Sequence, residues 1–314
     1  MSTQSKEYTA IIPVAGKGVR LLPYTAHCPK TMLDVAGEPI IAHILRQVER
    51  CGIKRIVFIV GYQKESLIEF VRSHYTHLDV SFVEQTEQKG LGHAIYLAKE
   101  MVQGPCLIVL GDTIIDGELK PLIDSGKNAV CVKQVADARR FGVVEMQEGH
   151  IIGFEEKPEH PKSNLALIGA YSFLDSAQLF SALEEVIASG KTVKNEIQLT
   201  DALSVLLNRQ IKIIPVEIQN WFDCGTAEIL LETNRILLER QELVSATVPS
   251  NTKVIKPCYI APGAVIENCV LGPYVSVSEG AVLKNCVLKD AIISRDAHVE
   301  NVAAEHTILD KYSY

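Results

Sequence analysis

The chain has 314 residues, 47% of them hydrophobic and 22% charged, with a formal net charge of −7. That composition excludes a disordered or fibrous chain and leaves a soluble globular protein with length for two domains. The acidic balance argues against a nucleic-acid partner, and no apolar run approaches the roughly 18 residues that a bilayer span needs, so the expectation is a cytoplasmic protein with small-molecule ligands.

The N-terminus, Met1 to Thr9, is polar, and the apolar stretch Ala10 to Ala15 is too short for a secretory leader. Tyr8 to Ala15 reads as a buried strand. Pro39 opens a helix whose Ile41, Ile44, Leu45 and Val48 fall on one face. Ile56 to Val60 is a continuous apolar strand, Leu67 to Tyr75 a helix, Val80 to Val83 a strand, Ala94 to Val102 a helix and Cys106 to Leu110 another buried strand. Continuous apolar strands alternating with helices predict a parallel sheet covered on both faces, with its ligand at the carboxyl ends of the strands.

Between Asn128 and Phe173 the pattern changes to strands without long helices: Val130 to Val135, Gly142 to Met146, His150 to Glu155 and Ala166 to Phe173, an antiparallel addition or lid. Helices return at Ser176 to Ala188, Gln198 to Leu207 and Ala227 to Glu242, with a strand at Ile211 to Val216. The first domain therefore covers residues 1–243. From 251 to 314 helical periodicity disappears. Val265, Leu271, Val277 and Leu283 recur every six residues, and Val270, Val282 and Leu288 mark the same period one position earlier. A period of six predicts a hexapeptide parallel β-helix of about three coils at ~18 residues each; a small antiparallel sheet with the same valine spacing is the alternative.

The eight cysteines (Cys28, Cys51, Cys106, Cys131, Cys224, Cys258, Cys269 and Cys286) are scattered, several of them in apolar runs, as free buried thiols would be. His74 and His77 have no partner Cys or His nearby and are read as a solvated helix end. The chemistry gathers elsewhere. The first strand runs into Gly16-Lys17-Gly18-Val19-Arg20, with Pro29-Lys30 close behind. Glycines after a strand let backbone amides approach phosphate, and nearby cations neutralise it. The spacing is neither that of a P-loop nor that of a dinucleotide fingerprint. Leu110-Gly111-Asp112 ends a buried strand with a carboxylate, and Asp223 supplies another just before the helix at Ala227, where it could equally serve as a cap.

Taken together, Ile12-Pro13-Val14-Ala15-Gly16-Lys17-Gly18-Val19-Arg20-Leu21-Leu22-Pro23 and Pro29-Lys30-Thr31-Met32-Leu33 resemble the opening of the sugar-1-phosphate nucleotidyltransferases, of UTP–glucose-1-phosphate uridylyltransferase or glucose-1-phosphate thymidylyltransferase type. The resemblance implies an α/β fold, a Rossmann-like, mostly parallel sheet followed by a short left-handed parallel β-helix. It implies a loop over Ala15, Gly16 and Gly18 wrapping a triphosphate, with Arg20 and Lys30 on the phosphates. Val19 stands where the family usually has Thr, so a hydroxyl contact is lost there. Gln85-Thr86-Glu87-Gln88-Lys89-Gly90-Leu91-Gly92-His93-Ala94 resembles the segment that reads the base, through Gln85 and Gly90. Asp112 and Asp223 match the paired aspartates that hold Mg²⁺, Asp112 lying on the nucleotide side. The stretches from Phe141 to Glu145, Glu155 to Pro158 and Ser163 to Gly169 resemble the sugar-phosphate half, with Glu156 on sugar hydroxyls, Lys157 on the phosphate, and Gly142 and Gly169 lining the hexose. Lys194 matches a further phosphate-contacting position.

The activity so implied is transfer of a nucleoside monophosphate from UTP or dTTP to a hexose 1-phosphate, glucose 1-phosphate by default. The phosphate nucleophile is already an anion, so no general base is needed, and no convincing Ser-His-Asp or Cys-His set is found. Positioning and charge neutralisation by Arg20, Lys30, Lys157 and Mg²⁺ must do the work. A silent nucleotide-sugar-binding regulatory subunit is the alternative. Acyl transfer by the short tail is disfavoured, because three coils lack the length; an assembly role in a homo-oligomer is expected instead.

Overall fold

The computed structural model describes residues 7–193, 195–240 and 250–312. The chain forms two compact units. One is built from the described parts of Met1–Lys17 and Ile44–Trp221, the other from those of Gly18–His43 and Phe222–Tyr314.

The first unit is organised by one nine-stranded sheet. Its order is His150–Glu156, Gly142–Gln147, Leu165–Phe173, Cys106–Val109, Thr9–Pro13, Arg55–Val60 and Asp79–Glu84, with Asn128–Gln134 against Leu165–Phe173 and Ile213–Glu217 beside Asn128–Gln134. The four strands Cys106–Val109, Thr9–Pro13, Arg55–Val60 and Asp79–Glu84 are parallel. Ile11, Ile12, Ile56, Phe58, Ile59, Leu107 and Ile108 are fully buried, as expected of strands covered on both faces. Leu165–Phe173 then runs antiparallel to Cys106–Val109, and Gly142–Gln147 pairs antiparallel with His150–Glu156. The expected antiparallel addition is therefore part of the same sheet.

Boundaries shift at a few elements. The helix expected from Ala94 to Val102 is an α-helix only over Leu91–Tyr96. Beyond it, Ala98, Lys99 and Met101 donate to the carbonyls three residues back, at 2.9–3.0 Å, so the chain goes on as tighter turns. Ala227–Arg240 is helical as expected, and Leu243 lies outside the described residues. All eight cysteines are free. His77 Nε2 meets Glu49 Oε1 at 2.5 Å, and no group of His, Cys, Asp or Glu among the described residues has the makings of a multidentate metal centre. No helix among the described residues is long and apolar enough to cross a membrane.

In the second unit the C-terminal strands are all parallel. Lys253 pairs with Val270, Val270 with Val287 and Val287 with Ala303, while Cys258, Val275, Ala291 and Thr307 form a second row and Val265, Val282 and His298 a third. This is the expected parallel β-helix; the antiparallel alternative falls away. Its repeat is shorter than ~18 residues: stacked Asn268, Asn285 and Asn301, bonded side chain to side chain at 2.8 and 3.1 Å, are 17 and 16 residues apart. Inward-facing Ile260, Ile266, Leu271, Val277, Leu283, Leu288, Ile293 and Val299 accordingly follow steps of five or six. Val265, which a strict six would turn inward, is 53% exposed, and Ile266 takes its place in the core.

The coils are joined to the rest of their unit by buried polar contacts. Asn234, on the Ala227–Arg240 helix and fully buried, accepts from the Ala36 amide at 2.9 Å and donates to the Tyr274 carbonyl at 3.3 Å. The Arg295 amide donates to Asp34 Oδ2 at 3.2 Å. Gly37, with φ of +88°, lies so close to the Tyr259 ring that a Cβ there would sit 2.0 Å from a ring carbon. Only glycine fits.

Candidate functional site

In the first unit the four parallel strands deliver their carboxyl ends to one edge of the sheet. The chain leaving Thr9–Pro13 carries Ala15 and Gly16; the one leaving Arg55–Val60 carries Gly61, whose missing side chain lets Ala15 pack against it, a Cβ there meeting Ala15 at 2.9 Å. Gln85 follows Asp79–Glu84, and its amide donates to the Val60 carbonyl at 2.8 Å. Gly111 and Asp112 follow Cys106–Val109, with the Gly111 amide on the Pro13 carbonyl at 3.2 Å. Gln88 Nε2 closes the edge by donating to the Ala15 carbonyl at 3.1 Å. Gly16 has open space where a side chain would be.

The base segment is braced from behind. Gly92 donates to the Ile197 carbonyl and Ile197 to the Lys89 carbonyl, both at 2.8 Å. Gly90 has φ of +95°, and a Cβ on it would lie 2.7 Å from Glu196 and Ile197, so glycine is required on conformational and steric grounds alike. Gln85 is 5% exposed; its Nε2 donates to the Gly90 carbonyl at 3.2 Å and lies 3.1 Å from His93 Nδ1. Burial, and then the nearby Lys89 charge, hold His93 below the usual imidazole pKa, so its ring is neutral and can accept.

The sugar-phosphate residues meet through strand register. Pairing of His150–Glu156 with Gly142–Gln147 sets Glu156 opposite Gly142, and a Cβ on Gly142 would approach Glu156 Oε2 and Thr200 Cγ2 at 3.0 Å. Thr200 Oγ1 donates to the same Glu156 oxygen at 3.1 Å, and Lys157 Nζ lies 3.1 Å from Glu156 Oε1. Lys157 has φ of 44°, a left-handed backbone uncommon for a side-chain-bearing residue, and its amide is held by the Phe141 carbonyl at 3.0 Å. Gly169, φ +80°, sits where a Cβ would strike Thr113 Oγ1 at 2.7 Å; its carbonyl accepts from the Leu110 amide at 2.8 Å, one turn before Asp112. Burial pushes the Tyr171 phenol up, and the charges of Glu156, Cys131 and Asp112 push it further, so both carboxylates lie within electrostatic reach of one ring. Thr200 thus belongs to this cluster, and it carries no motif that the sequence exposes. Lys194 lies outside the described residues.

Arg20, Lys30 and Asp223 belong to the second unit. Gly18 adopts φ of 63° ahead of a single 3₁₀ turn over Val19–Leu21, and Thr25 Oγ1 ties the Gly18 carbonyl at 2.9 Å. A Cβ on Gly18 would meet Lys30 Cβ at 3.1 Å, so the lysine stem folds back on the glycine loop. Val19 is 65% exposed. Asp223 ends the strand Asn220–Asp223, and at the start of the following helix Thr226 Oγ1 accepts from the Ile229 amide at 3.4 Å. Gly225 stands between the two charges: a Cβ there would be 2.6 Å from Arg20 Nη2 and 3.2 Å from Asp223 Oδ1.

Among the described residues no group of three or more His, Cys, Asp or Glu could enclose an ion. Single carboxylates such as Asp112 and Asp223 fit a hard divalent cation that takes its other ligands from phosphate oxygens and water, the usual habit of Mg²⁺, and do not fit zinc or calcium held by the protein alone.

Comparison with known proteins gives a consistent picture. Residues 9–240 match the family model described as nucleotidyl transferase. The bifunctional protein GlmU of Methanocaldococcus jannaschii is 36% identical over 259 residues, which are 82% of this chain and 61% of that protein. The chain thus spans about three fifths of the length of this first relative. A glucose-1-phosphate thymidylyltransferase of Streptomyces griseus is 27% identical over 320 residues, covering 93% of this chain and 89% of the relative. Among solved structures, a UDP-glucose pyrophosphorylase complexed with UDP-glucose superimposes with a TM-score of 0.67 at 28% identity, over 75% of this chain and all of that one (100%).

Proposed function

The chain belongs to the nucleotidyl transferase family, and we propose that it joins a nucleoside triphosphate to a hexose 1-phosphate, yielding an NDP-sugar and pyrophosphate. The observation that carries this reading is the shared edge of the parallel strands, where Ala15, Gln85 and the Gly111-Asp112 turn lie on adjoining strand ends. A phosphorylated nucleotide is the ligand such an edge suits. The Gly142–Glu156–Lys157–Thr200 cluster of the same unit, with hydroxyl-binding and cationic groups side by side, suits a sugar phosphate.

In this mechanism the sugar-phosphate oxygen attacks the α-phosphorus in line, the α–β bridging bond breaks, and pyrophosphate leaves with its electron pair. Lys157 holds the attacking phosphate, while Glu156 and the backbone at Gly142 and Gly169 orient the hexose. Arg20 and Lys30 neutralise the triphosphate and the departing pyrophosphate, with the backbone of Ala15, Gly16 and Gly18 wrapped around it. Gln85 and Gly90 read the base, and Lys194 is assigned a phosphate contact from the motif alone. Asp112 and Asp223 would hold Mg²⁺, which supplies charge neutralisation on the phosphates. Residues 1–243 are assigned the catalysis, and 251–314 a structural or assembly role in a homo-oligomer.

UTP and dTTP are both supported, the first by likeness to the UDP-glucose pyrophosphorylase and the second by likeness to the thymidylyltransferase. Pyrophosphate release with UTP, dTTP, CTP and ATP against several hexose 1-phosphates tests the reading. Release with a pyrimidine triphosphate and glucose 1-phosphate is the expected result. Nucleotide-sugar binding without release in any pairing would favour the regulatory-subunit alternative.

A further inference from the structure

The base segment holds a contact that the proposed reaction does not by itself require. Gln85 Nε2 has two protons, and the structure gives each an acceptor: the Gly90 carbonyl at 3.2 Å and His93 Nδ1 at 3.1 Å. A carbonyl oxygen can only accept, so the nitrogen of the Gln85 amide, and not its oxygen, must face Gly90. His93 Nδ1 must then present its lone pair, which puts the ring proton on Nε2. Burial and the Lys89 charge keep that ring neutral. With both amide protons taken, Gln85 can offer a ligand only Oε1, an acceptor; no described residue donates to that oxygen, and none accepts from the Gly90 N–H.

An acceptor on Gln85 beside a donor on Gly90 is the complement of one kind of base edge. Uracil and thymine present an N3–H donor next to the O4 acceptor; cytosine, equal in size to uracil, presents the reverse, a bare N3 next to an N4 amino group. We infer that His93 completes the lock that makes this site selective: by taking the second proton of Gln85 Nε2, beside the Gly90 carbonyl that takes the first, it holds the amide with Oε1 outward and so admits uracil or thymine and rejects cytosine. The inference rests on the reading of Gln85 and Gly90 as the base site. His93 acts here through Gln85 and is a positioning residue. Held by the single long bond to the Gly90 carbonyl, the amide would turn its NH₂ toward a cytosine N3 far more often, and the distinction would fade.

The test is the ratio of UTP to CTP affinity, measured as Kd by calorimetry so that it does not depend on turnover, and repeated with dTTP and dCTP. His93→Phe keeps the size of the ring and removes the acceptor. In His93→Asn, Oδ1 stands roughly where Nδ1 does and can accept from Gln85. Gln85→Leu removes the reader itself. We expect the UTP:CTP ratio to fall at least tenfold in His93→Phe, mainly through weaker UTP binding, and to be kept within about threefold in His93→Asn. In the wild type the ratio should also fall as pH drops through the lowered His93 pKa, since imidazolium Nδ1 becomes a donor; Lys89 and Glu87 are the charges that face the ring, and His93→Asn should abolish the pH dependence.

If Gln85→Leu collapses the ratio while His93→Phe leaves it intact, or lowers UTP and CTP affinity equally, the inference is overturned and the base site stands. If Gln85→Leu leaves the ratio unchanged, the base-site reading fails and takes the inference with it. Should His93→Phe not fold, the pH profile of the wild type against His93→Asn decides alone: equal pH dependence in both overturns the lock.

Discussion

Gly225→Ala offers a sharp test of how Arg20 is held. Gly225 has an ordinary backbone φ, so alanine is conformationally allowed there, and by restricting the unfolded chain it should leave stability unchanged or raise it by about 0.4–1 kcal/mol. The cost falls on the neighbours. The new Cβ would lie 2.6 Å from Arg20 Nη2 and 3.1 Å from Cζ, with Asp223 Oδ1 on the other side at 3.2 Å. Normal separation is about 3.5 Å or more, so the guanidinium must retreat by roughly 1 Å. The arginine is long and flexible, so it yields before the backbone does, and its charge leaves the position from which it would meet the triphosphate. Displacement of a positioning group by ~1 Å costs about a hundredfold in rate. The expected result is therefore a roughly hundredfold lower kcat/KM for the nucleoside triphosphate in a pyrophosphate-release assay, with a melting temperature equal to or above that of the wild type. Arg20→Ala should cost at least as much, and the double variant no more than Arg20→Ala alone, since both act through one guanidinium. A Gly225→Ala enzyme with kcat/KM within threefold of wild type would mean that Arg20 does not need this position to meet the triphosphate.

Asp112→Asn and Asp223→Asn should each lower turnover about a hundredfold at saturating substrates, with the deficit largest at limiting Mg²⁺; near-normal rates in both at limiting Mg²⁺ would remove the metal assignment. Asn234→Ala should cost about 2–4 kcal/mol in urea unfolding, because it strips partners from the buried Ala36 amide and Tyr274 carbonyl at once. Burial raises the Asp290 carboxyl, but hydrogen bonds from Arg235 and His306 outweigh it and leave the pKa lowered. A lowered carboxyl contributes stability above its unfolded value of ~3.9 and loses it as pH falls through the folded value. The melting-temperature gap between wild type and Asp290→Asn should accordingly be full at pH 6 and shrink below about pH 4.

Local patterns carried the reading furthest where a residue's partners are near in sequence or where burial is two-sided. The runs Ile56 to Val60 and Cys106 to Leu110 could only be inner strands, and both are. Gly18, in the glycine stretch read after the first strand, has the positive φ that such a loop uses. The tail was legible as parallel coils from its period, but its true repeat of 16 or 17 residues was not, because one or two sides of a coil close with a step of five and the valines keep a period of six only locally.

The alternation that makes a parallel sheet, the place of the glycine loop after its first strand, and the residue types able to meet phosphate, base and sugar are all legible in the linear chain. They are so because backbone conformation and burial pattern are set within a few residues. Folding in three dimensions is what lets Thr200 reach Glu156, sets Gly225 between Arg20 and Asp223, and brings His93 Nδ1 to the Gln85 amide nitrogen. The first of these joins residues 44 apart and the second residues far more distant, which only sheet register and unit packing bring together. The third spans just 8 residues, yet it depends on which atom of a side-chain amide faces a carbonyl, and an angle of that kind exists only once the chain has folded.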